Sequence, residues 1–216
     1  MSLTQPVAVF GASGFAREVA DVALSMGAPE VVLLDRDAGG APPPGGLRML
    51  AESEIGRLAA DGWAFALGVG DNAVRRRIFR ANDGLDFPAL VHQSATFGRG
   101  QRAVLDASPG TVVTAGVRFT NNVTVGPGCV FNLNCTVGHD VIVDGFVNVA
   151  PGATISGNVH LGEAAYVGTG ANIIQGKALD DKLTVGAGAI VGAGAVVSRS
   201  VAPGTLVVGV PARPLS

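Results

Sequence analysis

The sequence predicts two architectures in series, an α/β unit in the first half and a solenoid of short parallel strands in the second. Two observations carry that reading. An apolar residue recurs at every sixth place from Val113 to Val197, and the strand-like runs VAVF, VVLLD and WAFALGVG alternate with helical stretches across residues 7–70. Composition narrows the alternatives. A charged share of 15% beside a hydrophobic share of 48% is the reverse of what keeps a chain disordered. The 32 glycines lack collagen's every-third spacing, and no apolar run is long enough for a membrane-spanning helix. With 15 Lys and Arg against 17 Asp and Glu, the net charge of −2 supplies no electrostatic reason to bind nucleic acid or an anionic membrane. No basic leader followed by an apolar stretch opens the chain, so a cytoplasmic location is expected.

The repeat is the stronger signal. Every position of the six-step frame from Val113 to Val197, Leu179 included, is bulky and apolar; at a hydrophobic share of 48% the chance of this run is roughly 10⁻⁵. Four places after each comes Val, Ala or Cys, except at Lys177 and Leu183, where the edge of the solenoid is expected to be distorted. A helix would carry a six-residue stripe around its surface, whereas short strands separated by turns keep it on one side. Three six-residue sides close a triangular coil, so residues 113–202 make five coils, with a capping one from Ala95 to Val112. The pattern resembles the hexapeptide-repeat, left-handed parallel β-helix, whose crossovers run against the usual right-handed rule. Cys129 and Cys135 fall at the small interior place, with no His at ligand spacing, and read as packing.

In the first half, strand, helix, strand, loop, helix, strand is the alternation of a parallel, Rossmann-like α/β domain, assigned to residues 1–92 with the β-helix in 93–216. Gly11, Ser13 and Gly14 lie at the first strand-to-helix turn, where free backbone N–H groups can hold a phosphate. The segment GASGFA lacks the full dinucleotide-binding spacing. Asp35 ends the second strand, about where a ribose or base contact falls. Gly70-Asp71-Asn72 precedes a helix whose Arg75, Arg76 and Arg77 read as a solvated face, and the Pro42–Gly46 stretch reads as a loop.

Of three histidines, His92 ends an apolar strand near the domain junction and reads as structural, and His160 lies near a corner. His139 stands at the third place of the unit VGHDVI, a turn position pointing out of the prism, and Asp140 beside it can orient an imidazole and stabilise its protonated form. Together, residues 131–170, the front segment GASGFAREV and the tail VVGVPARPL resemble the sugar acyltransferases of the sialic-acid O-acetyltransferase and bacillosamine N-acetyltransferase type. Within them the chain is most similar to the enzymes that N-acetylate nucleotide-linked 4-amino-4,6-dideoxyhexoses for polysaccharide biosynthesis, and GDP-linked sugars are favoured over UDP-linked ones.

The resemblance implies a homotrimer with sites between neighbouring β-helices, acetyl-CoA as co-substrate and no metal. By the same resemblance His139 is the general base, Asp140 orients it, and the Gly157 N–H stabilises the oxyanion. Asn148, standing where some members carry His, together with His160, Thr169 and Ala187 matches CoA-contacting positions, and Arg213 meets a CoA phosphate. Ser13, Gly14 and Phe15 meet the nucleotide sugar, Asp35 and Arg36 its base or ribose, and Gly70 the part nearest the sugar. A carboxylate at Asp35 accepts equally from guanine N–H groups or the uracil imide.

Three rival readings are separable. A non-catalytic binding solenoid explains the repeat but gives the front unit and the His139–Asp140 pair no purpose. A zinc lyase on this β-helix needs three His ligands, two of them close in sequence, and His92, His139 and His160 have no such spacing. O-acetylation uses the same base chemistry and remains open.

Overall fold

The computed structural model describes residues 2–36 and 44–215. Of the expected Pro-Gly loop, Pro42 and Pro43 lie outside the described residues, and Pro44-Gly45 forms a turn. The front unit holds β1 (Val7–Phe10), α1 (Gly14–Ser25), β2 (Val31–Asp35), β3 (Arg48–Ala51), α2 (Ile55–Ala60), β4 (Ala64–Leu67) and α3 (Asn72–Ala81). All four strands are parallel, in the order β3-β2-β1-β4. Strand alternation divides the core. Val7, Val9 and Leu33 pack on Ala16, Val19 and Ala23 of α1, while Ala8, Phe10 and Leu34 pack on Leu58, Ile78 and Phe79 of α2 and α3. Edge strand β3, with Arg48 exposed and the rest half-buried, was not anticipated, because it is short, as edges often are, and follows the Pro- and Gly-rich stretch.

The second half is the expected triangular prism, a left-handed β-helix of three parallel sheets. Its first coil starts with β5 (Leu90–Val91) and β6 (Thr96–Phe97), and α4 (Gln101–Asp106) stands in for the third side. Coils then repeat at eighteen residues, pairing Val112 with Val130, Asn148 and Tyr166 in turn. The next step is twenty-four: Tyr166 pairs Ile190, Asn172 pairs Val196 and Val159 pairs Leu183. One six-residue unit is looped out before Leu183, so the prism has one side fewer than five full coils. Leu179, expected inside, is 63% exposed. A lysine at the small interior place would bury an uncompensated charge; the chain instead leaves the prism, and Lys177 pairs with Asp181 at 3.2 Å in solvent. Leu183 itself is buried opposite Val159. Cys129 and Cys135 are free thiols in the core, pushed up to about 12 by burial.

The two units are joined by a buried cation. Arg75 has no exposed surface, contrary to the solvated face expected from the arginine run. Its Nε donates to Gly128 O at 2.7 Å and its Nη2 to Phe146 O at 2.8 Å and Asn72 Oδ1 at 2.9 Å, while Nη1 donates to Val69 O and Gly70 O, both at 3.1 Å. Burial lowers its pKa to about 10, leaving it charged at neutral pH. Asn72 continues the joint, its Nδ2 donating to Ala164 O and Ala165 O.

Candidate active site

His139 sits on a corner of the prism with its side chain turned outward and 46% exposed. Its Nδ1 is 2.6 Å from Asp140 Oδ2. An acceptor at Nδ1 fixes the proton there and leaves the Nε2 lone pair free, the form an accepting base needs. The other carboxylate oxygen of Asp140 accepts from Asn122 Nδ2. That bond first, then the one to His139, holds the Asp140 carboxyl below the usual carboxylate range, so the orienting partner stays ionised.

Gly157 lies directly against this ring. A Cβ built on it would fall 2.5 Å from His139 Cε1 and Nε2, so only glycine leaves the imidazole its place. Its N–H lies at a corner between strands, outside the ladder hydrogen bonds of Ser156 and Asn158 on either side. An imidazole acceptor and a main-chain donor therefore share one corner, the arrangement that removes a proton from a nucleophile and stabilises an oxyanion.

The front-unit residues gather elsewhere. A cavity of about 480 Å³ opens at the carboxyl ends of β1 and β2, lined by Gly11, Asp35, Arg36 and Arg77 among others. Val69, just after β4, also lines it, so the cavity reaches the gap between β1 and β4 where the strand order reverses, the usual ligand crevice of such sheets. Gly11 takes φ +103°, a conformation that favours glycine. Ser13 and Gly14 are exposed at the start of α1, and Phe15 packs partly against the front core. Gly70 lines a second cavity, about 610 Å³, between α3 and the β-helix, with Asn72, Glu163, Tyr166 and Ala187.

Asn148 lies buried at this joint and donates to Gly70 O at 3.2 Å; its Oδ1 has no partner among the described residues. His160 pairs with Asp144, Nε2 to Oδ2 at 3.0 Å, and Thr169 is exposed at a corner of the prism. Arg213 is exposed in a hairpin strand at the end of the β-helix. His92 is tied by Nδ1 to Ser94. The structure therefore brings His139, Asp140 and Gly157 together, Asp35 with Arg36, and Gly70 with Ala187. It does not bring the first group to the other two within one chain. The front unit docks on the edge bearing Gly128, Phe146 and Ala164, whereas His139 lies on the edge of Asn122, Asp140 and Asn158. Sequence reasoning missed Asn122 and Arg75; Asn122 stands eighteen residues before Asp140, so the coil period was the signal for it.

A left-handed hexapeptide coil with an outward imidazole–carboxylate pair on its corner, behind a parallel α/β unit, defines a hexapeptide-repeat acyltransferase. Residues 6–81 match the family described as the PglD N-terminal domain. The acetyltransferase domain of PglB from Neisseria gonorrhoeae, in complex with acetyl coenzyme A, is 32% identical with a TM-score of 0.86, covering 98% of this chain and 99% of that one. WeeI from Acinetobacter baumannii is 31% identical with a TM-score of 0.86, covering 98% and 100%. A mutant of perosamine N-acetyltransferase from Caulobacter crescentus, in complex with CoA and GDP-perosamine, is 26% identical with a TM-score of 0.86, covering 99% and 98%. The chain belongs to the sugar acyltransferases of the sialic-acid O-acetyltransferase and bacillosamine N-acetyltransferase type. Among the described residues no group of His, Cys, Asp and Glu side chains is placed to hold a metal, and no helix is long and apolar enough to cross a membrane.

Proposed function

We propose that the protein is a cytoplasmic, acetyl-CoA-dependent N-acetyltransferase acting on the 4-amino group of a nucleotide-linked 4-amino-4,6-dideoxyhexose, with GDP as the favoured nucleotide. The observation that carries this reading is the 2.6 Å contact of His139 Nδ1 with Asp140 on a corner shared with Gly157. The kinship to proteins solved with acetyl-CoA and with GDP-perosamine supports the two substrates. In this mechanism the amine nitrogen attacks the thioester carbonyl carbon, and its proton passes to His139 Nε2. The Gly157 N–H stabilises the negative oxygen of the tetrahedral adduct. Collapse breaks the C–S bond, and the proton leaves with the CoA sulfur.

The division of labour follows the two units, residues 1–92 holding the nucleotide sugar and 93–216 transferring the acetyl group. Because the front cavity and His139 occupy different edges of one chain, the site is completed at the seam between subunits of a homotrimer. Ser13, Gly14, Phe15, Asp35, Arg36 and Gly70 hold the nucleotide sugar there, and Asn148, His160, Thr169, Ala187 and Arg213 hold CoA. The test is acetyl-CoA consumption with a panel of GDP- and UDP-linked 4-amino sugars and their hydroxyl counterparts. Turnover on an amino sugar is expected. Turnover on hydroxyl sugars alone would replace N- by O-acetylation, and inactivity across the panel would refute the enzyme reading. A monomer by analytical ultracentrifugation would refute the shared seam.

A further inference from the structure

The corner that carries His139 is one place in a stack. Asn122, Asp140 and Asn158 occupy it in successive coils, all with left-handed backbone at φ 54°, 59° and 56°. After the looped-out unit the same place falls to Lys182, which precedes Leu183 as Asp140 precedes Val141 and Asn158 precedes Val159. Lys182 reaches back past Asn158, and its Nζ donates to the main-chain oxygen of Asp140 at 2.6 Å. The unit is tied to this corner twice more: Gly176 N–H donates to Gly157 O at 3.0 Å and Leu183 N–H to Asn158 O at 3.1 Å.

We propose that Lys182 is a positioning residue for the His139–Asp140 pair, its ammonium fixing the Asp140 peptide so that the carboxylate faces Nδ1. This rests on the reading of His139 as the base. Asp140 holds a backbone conformation that non-glycine residues rarely adopt. Asn122 ties one oxygen of its carboxylate and Lys182 ties its peptide, so the other oxygen has one direction left. The Lys182 charge also contributes to keeping Asp140 ionised, behind Asn122 and His139. Among the described residues, the other groups that hydrogen-bond to or lie against the pair are uncharged: Asn121 and Asn122 from the preceding coil, Gly157 and Asn158 from the following one. Lys177 and Asp181 of the looped unit offset each other's charge.

The experiment compares Lys182→Met and Lys182→Arg in the whole enzyme, by pH profiles of kcat and KM and by NMR titration of the Asp140 carboxyl. Lys182→Met is expected to lower kcat on the order of tenfold, the scale of one charge-assisted hydrogen bond. KM should change little. With the neighbouring cation gone, the Asp140 carboxyl protonates at higher pH, so the acid limb of kcat and the carboxyl titration both move upward. Lys182→Arg is expected to restore both. Parental titration and parental kcat in Lys182→Met would overturn the proposal, as would equal loss in both variants with an unmoved acid limb. Full turnover in His139→Ala would bring down the base assignment instead, and the carboxyl titration, which needs no turnover, still decides Lys182.

Discussion

Arg75 of the front unit donates to the main-chain oxygen of Phe146, on a prism corner 71 residues later, at 2.8 Å with both groups sealed from solvent. Replacing Arg75 by Met leaves the oxygens of Gly128 and Phe146 buried without a donor, at about 1–3 kcal/mol each. The expected loss of at least about 2 kcal/mol lowers Tm by at least about 4–8 °C for a chain of this size. Arg75→Lys is expected to recover little, because three donors on a point charge cannot reproduce the guanidinium fork. Unchanged thermal unfolding of Arg75→Met would remove the residue from the joint.

His139→Ala is expected to reduce turnover by at least about 10²-fold while leaving the fold and its melting temperature intact, the scale of a lost general base. Asp140→Asn should hurt less, since the imidazole survives with poorer orientation. Steady-state assays of the two folded variants decide the order, and a reversed ranking would exchange their roles.

Gly157→Ala tests the packing of the ring. The Gly157 backbone lies outside the left-handed region, so alanine strains nothing locally, yet its Cβ occupies space 2.5 Å from the imidazole. The ring must move, and a fall in kcat of about 10²-fold is expected from displacing a reacting group by about an ångström. Normal kcat with a correctly folded protein would contradict it.

Asn122→Gly removes the leading group that holds the Asp140 carboxyl down, without straining a backbone at φ 54°. A carboxyl with lowered pKa is ionised above that value and loses its role as pH falls through it. With Asn122 gone the Asp140 pKa rises, so the acid-side loss of activity is expected to begin at higher pH. A coincident pH–rate profile for variant and parent would show that Asn122 does not set the carboxylate.

The six-residue period exposed the prism, its buried cysteines and the outward place of His139, because alternation and turn spacing are local properties of the chain. The same period hid the looped-out unit. An insertion of six residues leaves a six-step frame in phase, so Leu179 keeps time with a stack it has left; only Lys177 and Leu183 at the small interior place signalled the break. Arg75 was illegible for another reason. A run of three arginines looks solvated until its acceptors are known, and the ones in the prism lie 53 to 72 residues away. The nearness of Gly157 to the His139 ring likewise follows from stacking one coil on the next.

The Arg75 joint also orders the birth of the molecule. As the chain leaves the ribosome, β1 to β4 and α3 are complete before any prism carbonyl exists to receive the guanidinium. That side chain must keep its water until synthesis has passed Val147, and the partner amide at Asn72 must wait for Ala165. A truncation before that point would leave the guanidinium in water, without the prism carbonyls that receive it in the finished protein.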